Sequence, residues 1–411
     1  MKGQAEIPDL RLSRLNKLIT TFQSPPTMAL SNMFGSENAE SSTIKWESQK
    51  GNRGMTPFVS PDAVSPRYSP PGVAAHSAQA AYWKEKSYYN EEFLNNLRKE
   101  GIESQYFTAV ARLARDLKSM RYRSDRRKEY MFAQMIVNGS LSYVSLGGTE
   151  LSVDYDLPSD NQVSLTANYY WNTGTSRNIV GDIWDGKEVI HNATDSTATI
   201  AIINSTVLRY MAEDTSIQNL LSKSSFGNGD LFTKGAGTFL GINPAVLGKL
   251  LDLTLLVYDS KFTVKQYITA NVAASATSIY VGDAADFATG TATLYDVSAG
   301  TSEEVTISAI NRDTGVITVA ATTAAFTAGQ DYIEQVNKFV SDDKFVMMAP
   351  TVDGNKIATY MAAPFGLARR WGLYTDREDQ WDPEGTYIRT QNKGLPVLYH
   401  RDAVYQLTIK A

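Results

Sequence analysis

Five carboxylates, Asp376, Glu378, Asp379, Asp382 and Glu384, fall within nine residues. Grouped oxygen ligands hold a divalent cation when they stand on a turn at fixed spacing, with a central Gly and a terminal Glu. That spacing is missing, and Trp381-Asp382-Pro383-Glu384-Gly385 has the composition of a turn between strands, so a solvated acidic loop is expected. Asp182, Asp185 and His191 could be drawn as acid, base and orienting group. Geometry rather than nearness in sequence defines such a site, and this spacing fits no known arrangement. The stretch from Gly227-Asn228-Gly229 to Lys234-Gly235-Ala236-Gly237 is glycine-rich enough to approach a phosphate. It lacks the spacing and the following helix start of a phosphate loop, so a flexible loop is expected. Cysteine is absent and histidine occurs only at positions 76, 191 and 400. Thiolate metal sites, iron–sulfur clusters, thiol nucleophiles and most triads are thereby excluded. No catalytic, cofactor-binding or metal-binding residue is assigned.

The strongest charge feature is Arg112–Lys128, with eight basic residues against Asp116 and Asp125. It could be a nucleic-acid surface, a solvated helix face, or a surface docked on acidic groups of a neighbouring copy. The last two are favoured, because the chain as a whole is mildly acidic, with 39 basic and 44 acidic residues in 411. That balance rules out a nucleic-acid-coating composition, and 43% hydrophobic against 20% charged residues argues against disorder. The length calls for at least two cores, or one core with insertions. No apolar run approaches the ~18 residues of a membrane span. The opening MKGQAEIPDL has no apolar stretch of the secretory kind, so the chain reads as soluble and made in a cytoplasm.

These residues need elements to position them. Leu12, Leu15, Leu18, Ile19 and Phe22 form one helical stripe closed by Pro25-Pro26, an arm that must bury itself on its own domain or on a neighbouring subunit. Residues 27–80 are turn-rich, with Lys50–Gly54 as a mobile basic turn, yet they carry Ile44, Trp46, Met55, Phe58, Val59, Val64 and Tyr68. That is too apolar for a solvated linker, and a long hairpin lying on another surface is expected. The spacing of Ile102, Tyr106, Val110, Leu113, Leu117 and Met120 predicts an amphipathic helix. Met131, Phe132, Met135 and Ile136 continue it to a cap at Asn138-Gly139, unless Ser124-Asp125 breaks it in two. A hairpin about Gly147-Gly148 follows, then an α/β stretch with strands at 198–203, 253–258 and 344–348 and helix starts at Asn204 and Asn243-Pro244. Between about 270 and 331, Ala and Thr dominate, Lys and Pro vanish, and short strand patterns alternate with Gly/Asp/Asn turns, which reads as a small all-β module inserted into the parent domain.

The order of features resembles the major capsid proteins of tailed bacteriophages, with the Hong Kong 97-type fold, and among them the lambda-like capsid protein E family. Asp125-Arg126-Arg127-Lys128-Glu129 and Met135–Gly139 look like the family's spine helix, and Leu141–Tyr155 stands where its peripheral strands begin. Ala363–Ala368, Trp381-Asp382-Pro383, Leu395–Leu398 and Val404–Leu407 are similar to its closing strands. The resemblance covers most of the chain outside 265–335. It implies an α+β capsid fold, divided as arm 1–26, extended loop 27–85, peripheral domain 86–180, axial α/β domain 181–269 and 332–367, inserted all-β module 270–331, and returning peripheral strands 368–411.

By the same resemblance the chain is a non-enzymatic, cofactor-free shell protein assembling into hexamers and pentamers around double-stranded DNA. Its partners would be further copies of itself, a scaffold, a portal and decoration proteins, with packaged DNA touched only non-specifically and no membrane. Assembly would take place in the host cytoplasm and the product would reside in the virion. Candidate subunit-interface residues are Leu15, Leu18, Ile19, Phe22, Trp46, Lys50, Arg53, Arg121, Arg123, Arg126 and Arg127. Some relatives join the extended loop to a neighbour by a Lys–Asn isopeptide bond; Lys50 is a conceivable donor, but no motif supports it. The alternatives are an encapsulin-type nanocompartment shell and a β-rich surface adhesin or enzyme.

Overall fold

The computed structural model describes residues 7–25, 28–49, 55–65, 67, 72–97, 103–224, 231–232, 239 and 241–410. Lys50–Gly54 and the glycine-rich stretch lie outside them, apart from Leu231, Phe232 and Phe239. Two compact units emerge, Met1–Ala133 with Thr351–Arg401 and Gln134–Pro350 with Asp402–Ala411. These divisions fall elsewhere than the expected 180/181 and 367/368. Strand Ala358–Ala362 pairs with Gly385–Leu398, which draws 351–367 into the first unit, while Val404–Thr408 pairs with Lys344–Met348 in the second.

In the first unit the 14-residue strand Gly385–Leu398 is the spine of a mixed sheet. It pairs along Gly385–Gly394 with Ala81–Asn90, along Gly385–Gln391 with Tyr374–Gln380, and at its far end with Ala358–Ala362. A separate ribbon joins Thr43–Gln49 to Val73–Gln79, with Trp46 directly opposite His76. The amphipathic pattern forms one unbroken helix, Glu103–Asn138, of 36 residues, about 54 Å long. It does not break at Ser124-Asp125, because the Ser124 hydroxyl accepts from Trp83 Nε1 (2.8 Å) and the Asp125 carboxylate accepts from Ser24 (2.8 Å). Packing takes up the two groups that would otherwise compete with the helical backbone. Leu113, Leu117 and Met120 face a cluster of Ile7, Leu10, Leu15, Tyr89, Phe93, Leu94 and Leu97. Further along, the fully buried Glu129 accepts from the backbone N–H groups of Leu30 (2.9 Å) and Ser31 (2.7 Å). It thus supplies from another element the cap that Met28 cannot provide for helix Ala29–Phe34.

In the second unit the long helix ends at Gly139, whose φ of +69° only glycine adopts freely, and a Cβ there would lie 2.6 Å from Leu157. The hairpin Ser140–Ser145 and Gly148–Asp154 follows, with Leu146 and Gly147 as its turn, one residue earlier than expected. A five-stranded sheet runs in the order Gln162–Ser164, Val404–Thr408, Lys344–Met348, Ile200–Ile203, Thr254–Val257. Helix Ile179–Thr194 lies close on it at Gly186, where a Cβ would stand 2.4 Å from Met347 and 2.6 Å from Tyr405. Asn204 and Asn243 cap helices Ser205–Ala212 and Pro244–Leu251, accepting from Val207 N and Ala245 N.

The all-β part is a six-stranded antiparallel sheet in the order 261–267, 332–338, 290–296, 301–311, 316–319, 278–280. A bridge between Ile268 and Val281 joins its first and last strands, closing it into a small barrel. Its core is its own, built from Val264, Ile279, Phe287, Leu294, Ile307, Ile317, Phe326, Ile333 and their neighbours. The barrel begins nine residues before, and ends seven after, the expected 270 and 331, because Lys261–Tyr267 and Tyr332–Lys338 pair with each other in full. The Tyr143 hydroxyl donates to Asp283 (2.6 Å) and Gly147 N to Asp313 O (3.1 Å), tying the hairpin to the barrel.

Candidate assembly surface

The groupings that might have carried chemistry resolve into structure. Asp376, Glu378 and Asp379 stand on strand Tyr374–Gln380, while Asp382 and Glu384 lie exposed in the expected turn between it and strand Gly385–Leu398. Asp376 pairs with Arg370 (2.8 Å) and Arg389 (3.1 Å) and accepts from Gln391. Arg377 grips Asp379 through both carboxylate oxygens (2.8 and 2.5 Å), and the Thr386 hydroxyl adds a third bond. The Arg377 bonds hold the Asp379 carboxyl below its ordinary range in spite of partial burial. Asp182 accepts from Trp171 Nε1 (2.8 Å), and burial raises its carboxyl. His191 is exposed two turns further on and sits 4.0 Å from Asp195, so no acid–base set forms with Asp182. Among the described residues, no three His, Asp or Glu side chains are grouped to hold a metal ion, and no helix is long and apolar enough to cross a membrane.

The expected interface residues divide. Leu15 and Ile19 are fully buried inside their own chain, and Leu18 and Phe22 pack against the cluster that takes Leu15. Helix Leu12–Thr21 is therefore part of the first unit's core, which corrects the expectation that it buries these residues on a neighbour: the apolar side of the long helix supplies the surface its stripe requires. Trp46 is also withdrawn from interface duty. It is 6% exposed and stacks on His76 at 5.4 Å, while Ile44 and Ser48 share its buried side of the ribbon. Lys50 and Arg53 lie outside the described residues.

The basic run is largely used within the chain. Arg121 donates to Ile19 O (2.9 Å) and pairs with Asp125 (3.4 Å), and Arg123 pairs with Glu85 (2.8 Å). Arg112 lies 4.0 Å from Asp116, Arg127 lies over the Tyr130 ring, and Lys128 sits 4.3 Å over Tyr360, where burial lowers its ammonium pKa. Arg126 remains on the outer face.

What the chain leaves uncovered lies elsewhere. Met55 and Val64 are 93% exposed, Phe58 is 106% exposed and Val59 about half. Four large apolar groups within ten residues exceed the scattered apolar exposure of any protein surface. Their composition was readable as too apolar for a linker, but which of the loop's apolar groups stay outside was not. Leu367 and Trp381 are exposed likewise, and neither was singled out as an interface residue.

Among solved structures, the chain is similar to the putative capsid protein of a prophage of E. coli CFT073, at 13% identity and a TM-score of 0.52, over 97% of this chain and 99% of that one. It is also similar to a phage-related protein from Bordetella bronchiseptica RB50 (9% identity, TM-score 0.49, 96% of each chain) and to the capsid of Myoviridae phage XM1 (12%, 0.41, 94% of each). The first of these likenesses shows the fold, an α+β fold of the Hong Kong 97 type. No curated protein sequence matches. The family described as phage major capsid protein E matches residues 12–278, from the arm helix through the start of the barrel. With well over half of its length so matched, the chain belongs to the phage major capsid protein E family and is a head-shell protein.

Proposed function

We propose that the chain assembles into hexamers and pentamers that tile an icosahedral head around a double-stranded DNA genome, working as a structural and not a catalytic protein. The observation that carries this reading is the exposed segment Met55–Val64 in a member of a capsid family. Such a segment is costly in an isolated subunit, at about 25 cal/mol for each Å² of apolar surface left in water, and a second copy removes that cost. Each contact between copies can be modest, because every subunit makes several and a closed shell multiplies them. Assembly in the host cytoplasm, with a scaffold, a portal and decoration proteins as further partners, belongs to the same proposal.

Negative-stain microscopy of the overexpressed protein, with sedimentation to count subunits, tests it. Closed shells or discrete rings are expected, and shells from infected cells should protect DNA from nuclease. A uniform monomer at every concentration, with scaffold protein supplied, would sink the proposal.

A further inference from the structure

We infer that the outer face of the long helix between Ser104 and Arg126 is a contact surface for the phosphate backbone of double-stranded nucleic acid. The inference deepens the proposal above, since it rests on the shell enclosing such a polymer.

Of the eight basic residues in Arg112–Lys128, the geometry commits five to their own chain: Arg112 to Asp116, Arg121 to Asp125 and Ile19, Arg123 to Glu85, Arg127 to Tyr130, and Lys128 to a buried place over Tyr360. Arg115 and Arg126 have no such partner among the described residues, and Lys118 has only the Tyr122 ring, at 5.4 Å. All three are exposed, and among the described residues none forms an ion pair. At 3.6 residues per turn they fall on one side of the helix, spread over about 17 Å of its axis. A duplex presents one charge per ~1.7 Å, so about ten phosphate charges pass this length and three cations can follow it in more than one register.

The rest of the face decides what kind of partner suits it. Ser104, Thr108, Ala111 and Ser119 lie between and around the cations, all small and exposed. Tyr122 is half-buried, with Lys118 5.4 Å over its ring. A protein interface has a core depleted of charge and enriched in large apolar and aromatic groups. Apart from Phe107 at its edge, 61% exposed, and the half-buried Tyr122, this face is made of cations and small groups, so an acidic surface on another copy is the poorer fit. Nor does it present an Asn or Gln fork to read base edges, so the contact is to the backbone and indifferent to sequence.

The test is a salt titration of duplex binding by the full-length protein, using two unrelated 30-base-pair duplexes as probes. The variant is Arg115→Gln, Lys118→Gln, Arg126→Gln together. A control of equal charge change, Lys45→Gln, Arg209→Gln, Lys261→Gln, removes exposed cations elsewhere. Each phosphate contact contributes about 0.9 to the slope of log K against log salt, so the variant's slope should be shallower by two to three for both duplexes, with the control unchanged. An unchanged slope overturns the inference. So does an equal loss in the control, which would reveal only a net-charge effect, or lost assembly with unaltered duplex binding, which would make the face a protein contact. Shell formation is scored separately by microscopy, so wild-type protein that binds with the steep slope but makes no shells would defeat the shell reading and support this one.

Discussion

The side-chain amide of Asn16 pairs with both backbone groups of Thr375: its Nδ2 donates to the carbonyl at 2.9 Å and its Oδ1 accepts from the N–H at 2.8 Å. One residue of the arm helix thus imitates a neighbouring strand at the strand Tyr374–Gln380, satisfying an edge that would otherwise invite pairing with another chain. The arm is fastened by recognition as well as by the burial of Leu15 and Ile19.

Asn16→Ala should cost about 1–3 kcal/mol, since it removes both bonds to Thr375 and one to Leu12 O, and leaves Thr375 N–H and C=O to find water. Asn16→Asp keeps the acceptor for Thr375 N–H but sets a carboxylate oxygen against the Thr375 and Leu12 carbonyls, so it should cost at least as much. Denaturant unfolding measures both. Equal stability of all three proteins would show that the pairing contributes nothing.

Leu15→Ala should destabilise the subunit by about 2–5 kcal/mol, the usual cost of a cavity at a fully buried leucine. An arm that served only as glue between copies would instead leave unfolding of the isolated subunit unaltered while impairing assembly. Thermal unfolding of unassembled protein separates the two.

Met55→Ser, Phe58→Ser and Val64→Ser together should leave the melting temperature of the subunit within experimental scatter, because these side chains touch little in their own chain. Shell yield should fall at least tenfold. Wild-type yields of closed particles by microscopy would remove this segment from the assembly contacts.

Excision of Lys261–Lys338 with a two-residue Gly/Ser join should give a folded, soluble protein, since the barrel's core is its own and Lys261 and Lys338 are directly paired. Excision of 270–331 should give an aggregating one, because it leaves two long strands with neither a barrel core nor their other neighbours. Solubility and circular dichroism of the two deletions check this. The opposite ranking would mean that the flanking strands belong to the parent domain.

Asp182→Asn should stabilise the protein at pH 7 and not at pH 3. Burial raises the wild-type carboxyl, so its folded form prefers the proton. Stability linked to it is complete below the unfolded value of about 3.9 and is lost as pH rises through the raised folded value. Asn keeps an acceptor for Trp171 and carries no charge at either pH. Urea unfolding at the two pH values decides; a gain of the same size at pH 3 would assign the effect to packing.

Much of this architecture is legible in the residues, and the places where it is not have physical reasons. The seam from Tyr106 to Met120 specifies its helix because a period of three and four survives tertiary packing. The disappearance of lysine does not mark the barrel's limits. Its two flanking strands carry Lys261, Lys265 and Lys338, and pairing rather than composition makes them part of it. Glu378, Asp382 and Glu384 are solvated as their composition implies, but the pairing of Asp376 is not legible, because Arg370 and Arg389 come from residues beyond the strand that bears it. The arm's destination was undecidable for the same reason: a stripe states that something must cover it, and only the long helix, about a hundred residues away, states what. In the loop, composition marks the apolar groups, while the burial of Trp46 depends on the ribbon's register with His76, and Phe58 lies outside that ribbon.

The pairing of Lys261 with Lys338 has an evolutionary consequence as well as a structural one. Entry and exit of the barrel stand side by side, so the parent chain meets it as a socket meets a plug. Any self-contained fold with adjacent ends could occupy that position without shifting the register of a single parental strand. Loss or exchange of the barrel during descent would therefore leave the strands of the rest of the subunit in register.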